Sequence, residues 1–408
     1  MSITTPPKDF LTMFLDMNSF FASVEQQVQP TLRGKPVGVA PYIGNTGCII
    51  AASKEAKVYG IRIGRVGDAR KICPNLKIIE ARPALYMIYH KEIKNVIESF
   101  TPFYTALSID EFAIKLSPSD QNEEKSVKLA LKIKERIKDR VGDYLTCSVG
   151  IGPNKFLAKV AGERKKPDGL TTVRISALKK FYSTLVLTDL PGINYRLESR
   201  LKKFKIDSPA VLFNSSLADL RQALDHGGRL WYYRLRGFEV DDHEIKTKTI
   251  GHSHVLPPEL RSYKEAISVI KKIICKAGYR LRQEGYYAKG VSITIKFLNN
   301  ELFSLGHLFS PFCDTKSFTD NAFSLLKKCQ WKEKPIFVAI AAFDLIKMQG
   351  EQINIFPEIE KSKAISRAMD EINDEFGTNT LFPASVFWGR DSAPDRIPFG
   401  SPRYEIRN

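Results

Sequence analysis

The chain has 408 residues, too many for one ordinary hydrophobic core, so roughly two to four domains are expected. With 43% hydrophobic and 26% charged residues it reads as folded, which excludes a disordered chain. The formal charge of +17 calls for a polyanionic partner. No apolar run approaches membrane-span length and Met1 to Lys8 lacks a signal-peptide layout, so the expectation is a cytoplasmic protein, with no membrane association, that works on nucleic acid.

In chain order, Met13-Phe-Leu-Asp-Met-Asn-Ser-Phe-Phe21 begins as a buried strand and places Asp16 at or near its end. Thr105-Ala-Leu-Ser-Ile-Asp-Glu-Phe-Ala-Ile114 is a strand-like run interrupted by Asp110 and Glu111. A buried carboxylate is costly unless a cation compensates it. Acidic residues at adjoining strand ends suit magnesium, and two such ions can activate a hydroxyl and neutralise a leaving pyrophosphate. Spacing alone leaves another reading open, in which Asp16 caps a helix and Asp110-Glu111 occupies an exposed hairpin turn. The six cysteines are scattered without a CxxC pair and read as reduced thiols. His252 and His254 form an HxH with no second ligand pair nearby, which favours ordinary histidines over zinc.

Further along, Leu187-Thr-Asp-Leu-Pro-Gly-Ile193 opens a small helical segment through Leu201, Phe204, Leu212 and Leu220. Pro-Gly between short helices exposes backbone N–H groups that can hold a DNA phosphate, as in a helix-hairpin-helix, or serves as an ordinary tight turn. Asn194 stands at a second-glycine position, and Asn tolerates the left-handed conformation. Glu239 to Lys246 reads as a linker. From Lys246 to Gly350 there are 17 basic against 8 acidic residues. The pattern there is α+β: a basic helix over 262–283, a strand over 291–297, a helix over 317–328 and a strand over 336–341. Its lysines bind phosphate or are solvated. Gln352-Ile-Asn-Ile-Phe356 follows, then a helical pattern from Glu360 to Phe376, and a Pro-rich stretch from Thr378 onward read as irregular.

These segments resemble one family throughout. Leu15-Asp16-Met17-Asn18-Ser19-Phe20-Phe21-Ala22-Ser23-Val24-Glu25 and Ser108-Ile109-Asp110-Glu111 are similar to the two catalytic motifs of Y-family (DinB/UmuC-type) translesion DNA polymerases. The likeness continues through Arg33 to Val37, Gly47 to Ala52, Ser148 to Lys155, Lys165 to Gly169, the Leu190-Pro-Gly hairpin, Ile250 to His254 and Ala393 to Phe399.

The resemblance implies an α+β, multidomain right-hand polymerase. Its parts would be palm at 1–24 and 86–173, small fingers at 25–85, a helical thumb with the hairpin at 174–240, a linker at 241–248, an α/β little finger at 249–350, and a clamp-binding peptide with tail at 351–408. It further implies that Asp16 and Asp110 touch both of two Mg2+ ions, that Glu111 completes the one activating the primer 3′-hydroxyl, and that Met17 gives its backbone carbonyl. Phe21 would be the steric gate against ribonucleotides, with Phe20 and Ala51 also lining the dNTP site. Lys54 and Lys57 replace the family's usual Tyr and Arg, a point charge for a planar fork; with Lys166 they are assigned to the incoming phosphates. Cys48 and Ile50 would roof the base pair. Pro191, Gly192 and Ile193 would contact DNA. Gln352, Ile355 and Phe356 resemble a sliding-clamp peptide, the competing reading being a last buried strand. The expected enzyme is a low-fidelity, non-proofreading translesion polymerase, monomeric, with primer-template DNA, dNTPs and the clamp as partners. An inactive DNA-binding scaffold of this fold and a palm-type nucleotidyl cyclase are the alternatives.

Overall fold

The computed structural model describes residues 7–241, 248–348 and 357–394. They form two compact units, divided within the 242–247 stretch. Most of the expected linker and the whole Gln352–Phe356 peptide lie outside the described residues, as does Asp395 to Phe399.

The first unit is built on a five-stranded sheet. Its middle strand, Thr12–Met17, is buried at all six positions. Glu111–Lys115 and Cys147–Gly152 flank it, both antiparallel, with Tyr104–Ala106 and Leu170–Thr172 at the edges. A strand covered on both faces must be almost wholly apolar, as Met13-Phe-Leu is. On one face the helices Pro83–Glu98 and Glu123–Arg140 bring Tyr86, Ile93, Ile97, Ile133 and Ile137 against Met13, Leu15 and Phe112. On the other, the helix Lys155–Glu163 approaches so closely that a Cβ on Gly150 would lie 1.9 Å from the Ala158 carbonyl oxygen. Only glycine permits that contact.

The run from Thr105 to Ile114 is interrupted, as its pattern indicates, with Glu111 itself opening the second strand. It is a hairpin, Tyr104–Ala106 and Glu111–Lys115, closed by Leu107 N–H donating to the Glu111 carbonyl at 2.9 Å. Beside this sheet, Val37–Ala40, Ala51–Ala52 and Lys77–Glu80 form a small sheet that leads into the short helix Lys54–Val58. A helical cluster over 178–235 packs Leu187, Leu190, Leu201, Leu212, Leu220 and Trp231 together.

The second unit has a four-stranded sheet in the order Thr249–Val255, Pro335–Lys347, Tyr286–Phe297, Leu302–Phe312. Alternate residues Val291, Ile293 and Ile295 face the helices Tyr263–Gln283 and Thr315–Leu326 in one core. The segment after Pro357 adds a further layer. The helix Pro357–Phe376 is tied to the first of these helices by Asp370, which accepts twice from Arg282 at 2.6 and 2.7 Å, and to the second by Ser362 on Asp314. Ala393 is fully buried in the same core. The stretch expected to be irregular therefore contains a short helical turn, Ala384–Gly389, packed on Tyr263–Gln283.

Arg282 and Asp370 side chains are 9% and 14% exposed, so removing the carboxylate strands a buried cation. Asp370→Ala is expected to lower stability to denaturant by roughly 3–5 kcal/mol. Glu371→Ala, on the exposed side of that helix, should change it by about 0.5 kcal/mol or less.

Candidate active site

Strand register brings the two acidic segments together. Asp16 lies directly opposite Glu111 on one side and Ser148 on the other. The turn carrying Asp110 is fixed from several directions. Met17 N–H donates to the Asp110 carbonyl at 2.9 Å, and His90, stacked on Phe112, donates through Nδ1 to the Ile109 carbonyl at 2.8 Å. Ser108 Oγ accepts from the N–H of Glu111 at 3.0 Å and donates to Asp110 Oδ1 at 2.5 Å. The acidic pair does occupy a hairpin turn, as the bland alternative held, but the turn is half-buried against the end of the central strand rather than in solvent.

Asp16 is only 8% exposed. Burial pushes its carboxyl up to about 7 even though Lys166 lies at 2.9 Å from Oδ2. Burial also raises Asp110. For Lys166, burial opposes the charge, but Asp16 and Glu163 outweigh it and hold the ammonium above the ordinary lysine value. Lys57 is pulled the other way, by burial first and then by Lys166 and Arg62, although Asp16 and Glu163 offset part of this. Lys57, Lys166 and Asp16 therefore share one electrostatic neighbourhood. Lys54, at the start of the same short helix, stands 4.6 Å above the Tyr144 ring.

Among the described residues, no group of three or more His, Cys, Asp or Glu is gathered closely enough to hold a metal ion. The compensating charge here comes from lysines: Lys166 on Asp16, and Lys159 on Glu111 at 2.6 Å. Lys159 was not anticipated from sequence. Its signal was available, since it is a single cation among Phe156, Leu157, Ala158, Val160 and Ala161, all buried.

Phe21 is buried and stacks on Tyr86, centroids 4.5 Å apart, while Phe20 tilts against it at 5.8 Å. Tyr86 is held in turn by Glu25, a fully buried carboxylate that takes the Tyr86 hydroxyl at 2.8 Å and the Arg82 guanidinium. Ala51 is half-buried in its short strand, Cys48 is exposed, and Ile50 packs partly into the core.

In the Pro-Gly hairpin, the left-handed residue is Gly192, at φ +95°. Asn194 departs from expectation: it is extended, and its side chain caps the next helix by accepting from the N–H groups of Arg196 and Leu197. Ile193 is buried and spends its N–H on the Leu190 carbonyl at 3.0 Å, which leaves Gly192 as the exposed member of the trio. His252 and His254 lie in the strand Thr249–Val255, and all six cysteines are unpaired. No helix among the described residues is long and apolar enough to cross a membrane.

Comparison with known proteins places this geometry in a family. Residues 15–163 match the impB/mucB/samB family, and residues 247–355 match that family's C-terminal domain. A protein named DNA polymerase IV from Pelotomaculum thermopropionicum is 32% identical over 383 residues, covering 91% of this chain and 94% of the relative. Another from Moorella thermoacetica is also 32% identical, over 93% and 97%. Among solved structures, a Y-family DNA polymerase chimera, Dbh-Dpo4(243-245)-Dbh, superposes with a TM-score of 0.72 at 24% identity, covering 83% of this chain and 99% of its own. The Sulfolobus solfataricus DinB structure gives 0.55 at 24%, over 83% and 100%. The likeness to these structures shows a shared palm, finger, thumb and little-finger fold, and with the sequence matches it establishes that the chain belongs to the impB/mucB/samB family as a DinB-type Y-family DNA polymerase.

Proposed function

We propose that this protein extends a primer on a DNA template by two-metal nucleotidyl transfer, copies past lesions, and does so without proofreading. The observation carrying this reading is the register of Asp16 against Glu111, with the Asp110 turn bonded to Met17 and the basic pair Lys57 and Lys166 at the same strand end.

The donor chemistry fits a hard divalent cation: carboxylates at one strand end, at least one of them nearly buried and short of compensating charge. Asp16, Asp110, Glu111 and the Met17 carbonyl would hold two Mg2+ ions. When bound, such ions lower the pKa of the attacking primer hydroxyl and neutralise the departing pyrophosphate. The chain's own part is to release Glu111 from Lys159 and Asp16 from Lys166, and to turn Lys166, Lys57 and Lys54 to the triphosphate. Phe21, braced by Tyr86, would lie beneath the sugar, with Phe20 and Ala51 lining the pocket. Pro191, Gly192 and Ile193 would meet the DNA backbone, mainly through Gly192. The palm would span 1–24 and 86–173, the fingers 25–85, the thumb 174–240 and the little finger 249–350. Gln352, Ile355 and Phe356 are proposed to dock on a sliding clamp, and the working species is proposed to be a monomer in the cytoplasm.

Primer extension on undamaged and lesion-bearing templates tests the core of this reading. Asp110→Ala with Glu111→Ala should reduce extension by at least about 10³-fold while leaving the fold intact; a variant that keeps its rate removes the assignment. Phe21→Ala should admit ribonucleotides, seen as a fall of about 10²-fold or more in sugar selectivity, and unchanged selectivity would remove the gate. Gln352→Ala with Phe356→Ala should abolish co-purification with the clamp while distributive extension without clamp stays intact. Retention of the doubly substituted protein on clamp beads would show that docking lies elsewhere.

A further inference from the structure

We propose that Asn18 and Lys134 are positioning residues for the nucleotide triphosphate, because together they hold the loop 165–169 so that Lys166 faces the carboxylates. This rests on the assignment of Lys166 to the incoming phosphates.

The loop is gripped from two sides. Asn18, two residues past Asp16 and only 8% exposed, accepts through Oδ1 from the Asp168 N–H at 2.7 Å and from Thr146 Oγ1 at 3.2 Å. Its Nδ2 donates to Ser148 Oγ at 2.9 Å. Its main chain is fixed too, with N–H donating to the Thr146 carbonyl at 2.8 Å and the carbonyl accepting from Ser23 Oγ at 2.8 Å. Asn18 is thus joined to the strand that carries Ser148 and to the loop that carries Lys166. Lys134 closes the other side. Its neighbours Lys132 and Lys138 on the same helix are exposed, but Lys134 is 14% exposed and its ammonium meets the Asp168 carbonyl at 2.6 Å, Asp168 Oδ1 at 2.8 Å and the Cys147 carbonyl at 3.0 Å.

Both grips fall on Asp168, and the chain at this point has little freedom. Asp168 is left-handed at φ +58°, and a Cβ on Gly169 would lie 2.2 Å from the Lys165 carbonyl oxygen. A mostly covered lysine tied to two main-chain carbonyls and one carboxylate fixes the loop's shape and has its charge locally paired. That shape matters because Lys166 acts as a point charge whose attraction to phosphate depends on where it is held. Losing either anchor leaves the charge in the protein and lets its position wander.

The test is single-nucleotide primer extension with the full chain, reading KM for the dNTP against kcat. It is paired with equilibrium binding of a non-hydrolysable dNTP analogue to the DNA-bound protein. Asn18→Ala and Lys134→Met are each expected to raise KM and the analogue's Kd about tenfold, with kcat within about threefold. Asn18→Asp keeps an oxygen for the Asp168 N–H and should restore KM to within about threefold. In a Lys166→Ala background, Asn18→Ala and Lys134→Met should raise KM by less than about twofold more, since the group they position is gone. If Asn18→Ala does not fold, Lys134→Met carries the same comparison. Unchanged KM in the single variants beside a raised KM in Lys166→Ala overturns the proposal, as do full multiplicative effects in the double variants. Should Lys166→Ala itself leave KM unmoved, the phosphate assignment falls and the proposal falls with it.

Discussion

Everything at this site follows from negative charge placed where water cannot fully solvate it. Asp16 is the last residue but one of a strand buried at every position, and its carboxyl is driven far above the ordinary aspartate value by that burial. Tethered ammonium groups offset only part of that cost, Lys166 beside Asp16 and Lys159 beside Glu111. Both lysines come from the region following Cys147–Gly152, so the strand order that places the acids also delivers their counter-charge. The tight approach at Gly150 belongs to this arrangement, because it seats the helix bearing Lys159 close against the sheet.

The acids and the overall fold class were readable because burying carboxylates in an apolar pattern is expensive, and such a break marks a site. What could not be read was geometry set by distant partners. The Thr105–Ile114 run shows its break at the acidic pair, but not that the turn is organised by Ser108, whose hydroxyl takes the Asp110 and Glu111 amides. Asn194 looked like a left-handed residue because Asn tolerates that state; helix capping, equally native to Asn, prevails instead. The strand Leu302–Phe312 was missed because it is an edge, mostly exposed, with Gly306 and Pro311 diluting its alternation. Contacts such as Asn18 to Asp168 join residues 150 positions apart, a range over which local pattern carries no signal.

The lysine at position 54 has a physical context the sequence did not disclose. Lys54 sits over Tyr144, whose hydroxyl donates to Glu55 at 2.7 Å, and Glu55 also accepts from Gln26 at 3.0 Å. Arg33 approaches the same ring and pairs with Asp143. Where the family usually has an aromatic side chain on the short helix, this chain has a cation there and an aromatic side chain opposite it. A ring face beneath an ammonium limits its wandering without neutralising it.

The layer formed after Pro357 extends the second unit beyond its four-stranded sheet and two helices. Residue 348 closes onto the Gly285 carbonyl, and the helix from Pro357 is riveted to the same unit through Arg282 and Asp314. The second unit therefore includes the helix from Pro357 as part of its packing. A chain cut before Pro357 would leave Arg282 without its carboxylate partner and would open to water the surface of Tyr263–Gln283 that Ala384–Gly389 covers.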